Sequence, residues 1–198
     1  MKKLLVPKGA FGYLDNRKKY TALRTLLFFL ISGGLYAMGI LTTGSNKNLL
    51  TIVAILGCLP ACKSAVNFIL FMRAVGCSSA LHEKLAAYDN AVTACDHAAM
   101  TVFYDMYFTS YQKNYPLSHM ALKGDMLCGI TESPSCICRE AEKHLEQMLV
   151  QEGIKNVTVN IFSQEDKYLD RLSRLVDMRV EDHKNREGIV SLLYDISI

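Results

Sequence analysis

Lys63 is the residue whose type and place most invite chemistry. It lies in GCLPACKSA, residues 57–65, inside the most apolar part of the chain, beside Cys58, Pro60 and Cys62. An ammonium set among apolar residues serves an ion path or a proton relay when a carboxylate shares the site. No acidic residue occurs from Thr21 to Met72, so such a relay lacks its second member. A polar seam with Ser64 and Asn67 is the remaining functional setting for this lysine. Cys58 and Cys62 stand four apart on one helical face, a spacing that can hold a soft metal. Two thiols alone leave that site incomplete, and cysteine is also an ordinary small buried residue.

Further along, Cys128, Cys136, Cys138 and His144 follow the spacing C-x7-C-x-C-x5-H. The paired C-x2-C knuckles of a zinc site are missing, so these read as thiols in or near a core, with no metal and no cofactor expected. Cys95-Asp96-His97 puts three catalytic residue types in a row, but helix neighbours point apart and a serial triplet is no triad. His119 acting with a thiol such as Cys128 is the remaining nucleophile–base pairing. There is no phosphate-cradling glycine loop, no GxSxG and no HExxH.

The elements that must position these residues begin with two apolar runs. From Thr25 to Thr43 no charge occurs, and 19 residues make about 28 Å of helix, close to a hydrocarbon thickness. A second run, Asn48 to Met72, carries only Lys63. The polar TGSNKN between them fits a tight turn. The expectation is a transmembrane helical hairpin over residues 21–72, with spans at about 23–43 and 49–72. A basic segment, 1–20, precedes it and lies at the headgroups. Pro7, Gly9 and Gly12 break that segment, and Tyr13 and Tyr20 act as interface anchors. A mean hydropathy of +0.15 agrees.

Charge is uneven along the chain. Residues 1–24 hold seven basic side chains against Asp15, while residues 73–198 hold 13 basic and 18 acidic ones. The positive-inside rule then places both termini in the cytoplasm of a cell-membrane protein. The acidic body argues against nucleic acid as a partner. Small residues at four-residue spacing, Gly33 with Ala37 and Gly57 with Ala61 and Ala65, allow close helix approach. They either pack the hairpin on itself or drive a homo-oligomer in the lipid bilayer.

Residues 73–198 read as a cytoplasmic α+β domain with the order helix, three strands, helix, strand, helix. Ser78 or Ser79 caps the first helix. TVFYDMYFT, 101–109, alternates around Val102, Tyr104, Met106 and Phe108 as a strand, and YQKNYP is a loop ending at Pro116. Gly124-Asp125 turns a hairpin. Ser133-Pro134 opens the next helix, whose stripe is Ala141, Leu145, Met148 and Leu149. Val157, Val159 and Ile161 line one face of a strand. Ser163 to Asp166 forms a capping box, and Tyr168, Leu169, Leu172, Leu175 and Val176 face the core after it. The tail GIVSLLYDISI is read as helix.

Over residues 78–162 this order resembles the core of restriction-endonuclease-like folds, including membrane-tethered nuclease-related domains. The resemblance implies an acid on the second strand and an E-x-K on the third, to hold a metal and activate water. The stretch here is SHMALKGDMLCGITESP: Asp125 falls in the turn, and Glu132 is followed by Ser133-Pro134. The scaffold carries over and the chemistry does not. The functional expectation is an integral membrane protein that presents its α+β domain to an unknown protein partner or to a ligand. The alternatives are a membrane-tethered enzyme on a nuclease-like scaffold and a subunit of an oligomeric channel or transporter that uses Lys63.

Overall fold

The structure is a computed structural model that describes residues 6–44, 49–94, 100–110, 113–178 and 184–198. Cys95-Asp96-His97 and most of the turn between the apolar runs lie outside those residues. The chain divides into two compact units: residues 14–74, and residues up to 13 together with 75–198.

The first unit is a pair of long helices, α1 (Tyr13–Thr43) and α2 (Leu49–Arg73). Both are long and apolar enough to cross a membrane. Gly12, at φ +79°, precedes the first turn of α1, so the helix takes in Tyr13–Tyr20 ahead of the apolar run. α2 continues through Pro60. The α2 face Ala54, Ala61 and Ser64 is buried, with Gly57 on the same side. A Cβ on Gly57 would lie 2.9 Å from Ser32 Oγ, so the small residue there lets the backbones approach. The outer faces are the reverse of a soluble helix pair: Leu26, Leu30, Leu41, Leu49, Ile55 and Leu59 are all exposed.

In the second unit the order is α3 (Ser79–Ala94), β1 (Thr101–Thr109), β2 (Asn114–Lys123), β3 (Met126–Ile130), α4 (Cys138–Gln151), β4 (Thr158–Phe162), α5 (Glu165–Asp177) and α6 (Arg186–Ile196). The sheet runs β1-β2-β3-β4, antiparallel except for the parallel pair β3–β4. α4 supplies the crossover that a parallel pair requires. Ala141, Leu145 and Leu149 of α4 and Ile189, Leu192 and Leu193 of α6 cover one face of the sheet. Leu81 and Leu85 of α3 and Tyr168, Leu172 and Leu175 of α5 cover the other. A sheet buried on both faces explains why β1 and β2 lack a polar side. Each large apolar side chain fully buried in these layers contributes about 1.5–3 kcal/mol.

Four local expectations are corrected. Val102, Tyr104, Met106 and Phe108 do not share a face. Phe103, Met106 and Phe108 point to the α4/α6 core, and Val102 and Tyr104 to the α3/α5 core. The alternation slips at Asp105, whose φ of +54° re-aims everything after it. β2 slips at the same level: Tyr115 and Leu117, then Met120 and Leu122, serve one core. Pro116 is not in a loop but in β2, opposite Tyr107. Ser133-Pro134 does not start α4, which begins at Cys138 with Ile137 at its N-cap. Ser163 forms no capping bond; Gln164 is the N-cap of α5.

The other landmarks stand as read. Gly124, at φ +55°, turns the β2–β3 hairpin, and Ser78 Oγ accepts from the Leu81 amide at 3.2 Å at the start of α3. Both sheet edges carry added hydrogen-bond partners, which blunt them as templates for strand addition. On β1, Tyr104 donates to the Gly9 carbonyl at 2.8 Å and Ile198 to the Tyr107 carbonyl at 3.0 Å. On β4, Ile161 donates to Glu142 Oε1 at 2.8 Å.

Candidate functional site

In the helix pair the polar side chains collect in the seam. Arg24 Nε donates to Ser64 Oγ at 3.1 Å. The Thr25 and Ser64 hydroxyls are 2.8 Å apart, and Thr25 donates its own proton to the Thr21 carbonyl at 2.7 Å. The proton order follows: Arg24 to Ser64, Ser64 to Thr25, Thr25 to Thr21. Ser64 is only 1% exposed, so both its proton and its lone pairs need partners from the facing helix. Lys63 is not part of this chain. It is exposed and makes no hydrogen bond or ion pair among the described residues. Cys58 is half-buried and Cys62 exposed. No third metal donor joins them, and no cluster of three or more metal-binding side chains occurs among the described residues. Of the small residues, Gly57 and Ala61 sit in the seam, while Gly33 and Ala37 are exposed.

His119 and Cys128 both occupy the α3/α5 side of the sheet and are fully buried. His119 Nδ1 lies 2.6 Å from the Tyr168 hydroxyl. Its ring meets Tyr104 edge-on, with centroids 4.6 Å apart. Tyr104 meets His82 edge-on at 5.1 Å, and His82 lies flat on Phe11 at 3.8 Å with the planes 6° apart. These rings form a column from the segment before α1 to the sheet centre and α5. Burial pushes the Cys128 thiol up, which keeps it protonated and a poor nucleophile.

Two carboxylates explain the acids near the hairpin. Asp105 Oδ1 accepts from the Cys77 amide at 2.7 Å. Glu132 accepts from the Ser78 amide at 2.8 Å and from the Ser78 hydroxyl at 2.6 Å. Both therefore serve the N-terminus of α3, where negative charge is favoured. Asp125 stays in the turn, exposed, and its carbonyl accepts from the Thr158 amide.

An open cleft of about 440 Å³ lies between the start of β2 and α4, lined by Ser110, Lys113, Tyr115, Glu140, Lys143 and His144 among others. Lys113 grips both oxygens of Glu140 at 2.9 and 2.7 Å, and that contact raises the lysine pKa. Partial burial holds His144 below the usual histidine range, and its ring is tilted over Tyr115 at 5.4 Å. Cys136 is buried, Cys138 half-buried, and burial raises the Cys136 thiol. His119 and Cys128 do not line this cleft.

Sequence reasoning missed Arg24, because a count of the charge-free run starts one residue after it. The signal that finds it is the pairing of two antiparallel helices, which brings the run's edge opposite Ser64. Phe11, His82 and Tyr104 were missed because nothing local links residues so far apart. Compared with family models, curated proteins and solved structures, the chain shows no match.

Proposed function

We propose that this chain is a two-span membrane protein, with both termini on the cytoplasmic side, whose α+β unit binds a partner or ligand and does not catalyse. The observation that carries the reading is the inverted helix pair. Its hydroxyls and guanidinium turn inward to Ser64, while leucines and isoleucines cover the outside. In water that arrangement exposes a large apolar surface; in lipid it is the expected one. The basic flank Arg17, Lys18, Lys19 and Arg24 supports the orientation.

Strand order and direction support the likeness to a restriction-endonuclease-like core. On the sheet face under α3 and α5, however, the second and third strands present His119, Ala121, Cys128 and Ile130. An acid and an E-x-K are what the nuclease chemistry would need. The nearby carboxylates of Asp105 and Glu132 are engaged at α3. The open cleft beside Lys113, Lys143 and His144 is the surface this reading assigns to ligand contact.

Alkaline carbonate washing and a C-terminal reporter fusion test the reading. Retention in the membrane pellet with an intracellular reporter signal is expected. Release by carbonate would sink the membrane assignment, and an exported signal would sink the orientation.

A further inference from the structure

Two contacts set the register of α1 against α2. Thr25 meets Ser64, and Ser32 meets Gly57, seven residues further along each helix in opposite directions. In that register Lys63 comes level with Leu26, and Arg24 lies two residues away, or about 3 Å along the axis. The two cations thus stand at one height, although they are far apart in sequence. From that height to the turn, α1 offers Thr25–Thr43 and α2 offers Leu49–Cys62, and neither stretch carries a charge. The first spans about 28 Å and the second about 21 Å, against a hydrocarbon core of about 30 Å. Below that height, Ser64–Arg73 of α2 runs beside the part of α1 that carries Asp15, Arg17, Lys18 and Lys19.

We propose that Arg24 and Lys63 form one basic girdle that binds the phosphates of anionic phospholipids, so that the hydrocarbon ends at their level and not at the end of α2. The inference rests on the membrane reading above. Charge favours this occupant. Arg24 uses Nε on Ser64 and makes no bond through its terminal nitrogens among the described residues, and Lys63 is exposed, with Asp15 the one carboxylate of α1 and α2. Asp15 already pairs with Lys18 at 3.1 Å. A guanidinium and an ammonium suit a phosphodiester as fork and point charge respectively. A span running from Leu49 to Met72 would instead hold Lys63 about 13 Å inside the hydrocarbon, beyond the reach of a lysine stem.

The chain has no tryptophan, so a single introduced one reports depth without background. Leu56→Trp and Ile69→Trp stand seven residues above and six below Lys63, both at exposed positions. The full chain is reconstituted in phosphatidylcholine–phosphatidylglycerol vesicles with brominated acyl chains. Strong quenching of Leu56→Trp with weak quenching of Ile69→Trp is expected. Equal, deep quenching of both overturns the girdle while leaving the membrane reading intact. No quenching of either overturns the membrane reading itself. In the same vesicles, spin-labelled phosphatidylglycerol should associate in preference to phosphatidylcholine. Lys63→Gln is expected to cut that preference by about 5-fold, and Arg24→Gln with Lys63→Gln to bring it near parity. An unchanged preference in the double variant also overturns the girdle.

Discussion

Asp105 holds a left-handed backbone, is 3% exposed, and accepts the Cys77 amide through Oδ1. Asparagine tolerates the same backbone and keeps an acceptor, whereas alanine does neither. Asp105→Ala is therefore expected to cost about 2–4 kcal/mol and Asp105→Asn less, read as shifts in the thermal midpoint in detergent. Tyr168→Phe tests the column differently. It removes the phenol that His119 meets at 2.6 Å inside a closed layer, and a loss of about 1–3 kcal/mol is expected. An unchanged midpoint would mean that the contact contributes nothing. Cys128 and Cys136, both buried with raised thiols, should resist alkylation in the folded protein at pH 8 while Cys138 reacts; peptide mapping by mass spectrometry reads this directly.

Elements meet here through small residues and partnered edges. The α1–α2 seam closes at Gly57 because no side chain separates it from Ser32. Gly57→Leu is expected to destabilise the helix pair by about 1–3 kcal/mol, and Gly57→Ala by less, as measured by denaturant-induced loss of helicity in detergent. The edge of β1 depends on the segment before α1. Gly9 accepts from Tyr104, and Lys8 Nζ reaches the Tyr194 and Ser197 carbonyls, both at 2.6 Å. Those carbonyls close α6, where a cation is favoured. Lys123 repeats the device at the end of α5, donating to the Val176 carbonyl at 2.9 Å. The residues read from sequence as a headgroup-lying strip thus include a strap of the α+β unit, because Lys8, Gly9 and Phe11 find their partners in β1, α3 and α6.

The response of the whole molecule to pH follows from groups in the α+β unit. His144 titrates below the usual histidine range because burial disfavours its charged form, so its contribution to stability is present above about pH 6.5 and lost as pH falls. The raised thiols of Cys128 and Cys136 act in the opposite direction: their contribution is present below about pH 9 and lost above it. His144→Gln should flatten the acid limb of a stability profile and leave the alkaline limb unchanged. Sequence by itself determined what depends on local period and composition: the two apolar helices, the Gly124 hairpin, the stripes of α4 and α5, and the order of the elements. Hydrophobic period and turn chemistry are properties of neighbours, so they are legible in one dimension. Only the tertiary structure decided the rest. The slip at Asp105 requires a backbone state that its residue type permits but does not demand. The column from Phe11 to Tyr168 joins side chains from five separate segments. The common height of Arg24 and Lys63 exists only once two antiparallel helices are set in register, because a distance between elements is fixed by their packing and is written in neither element alone.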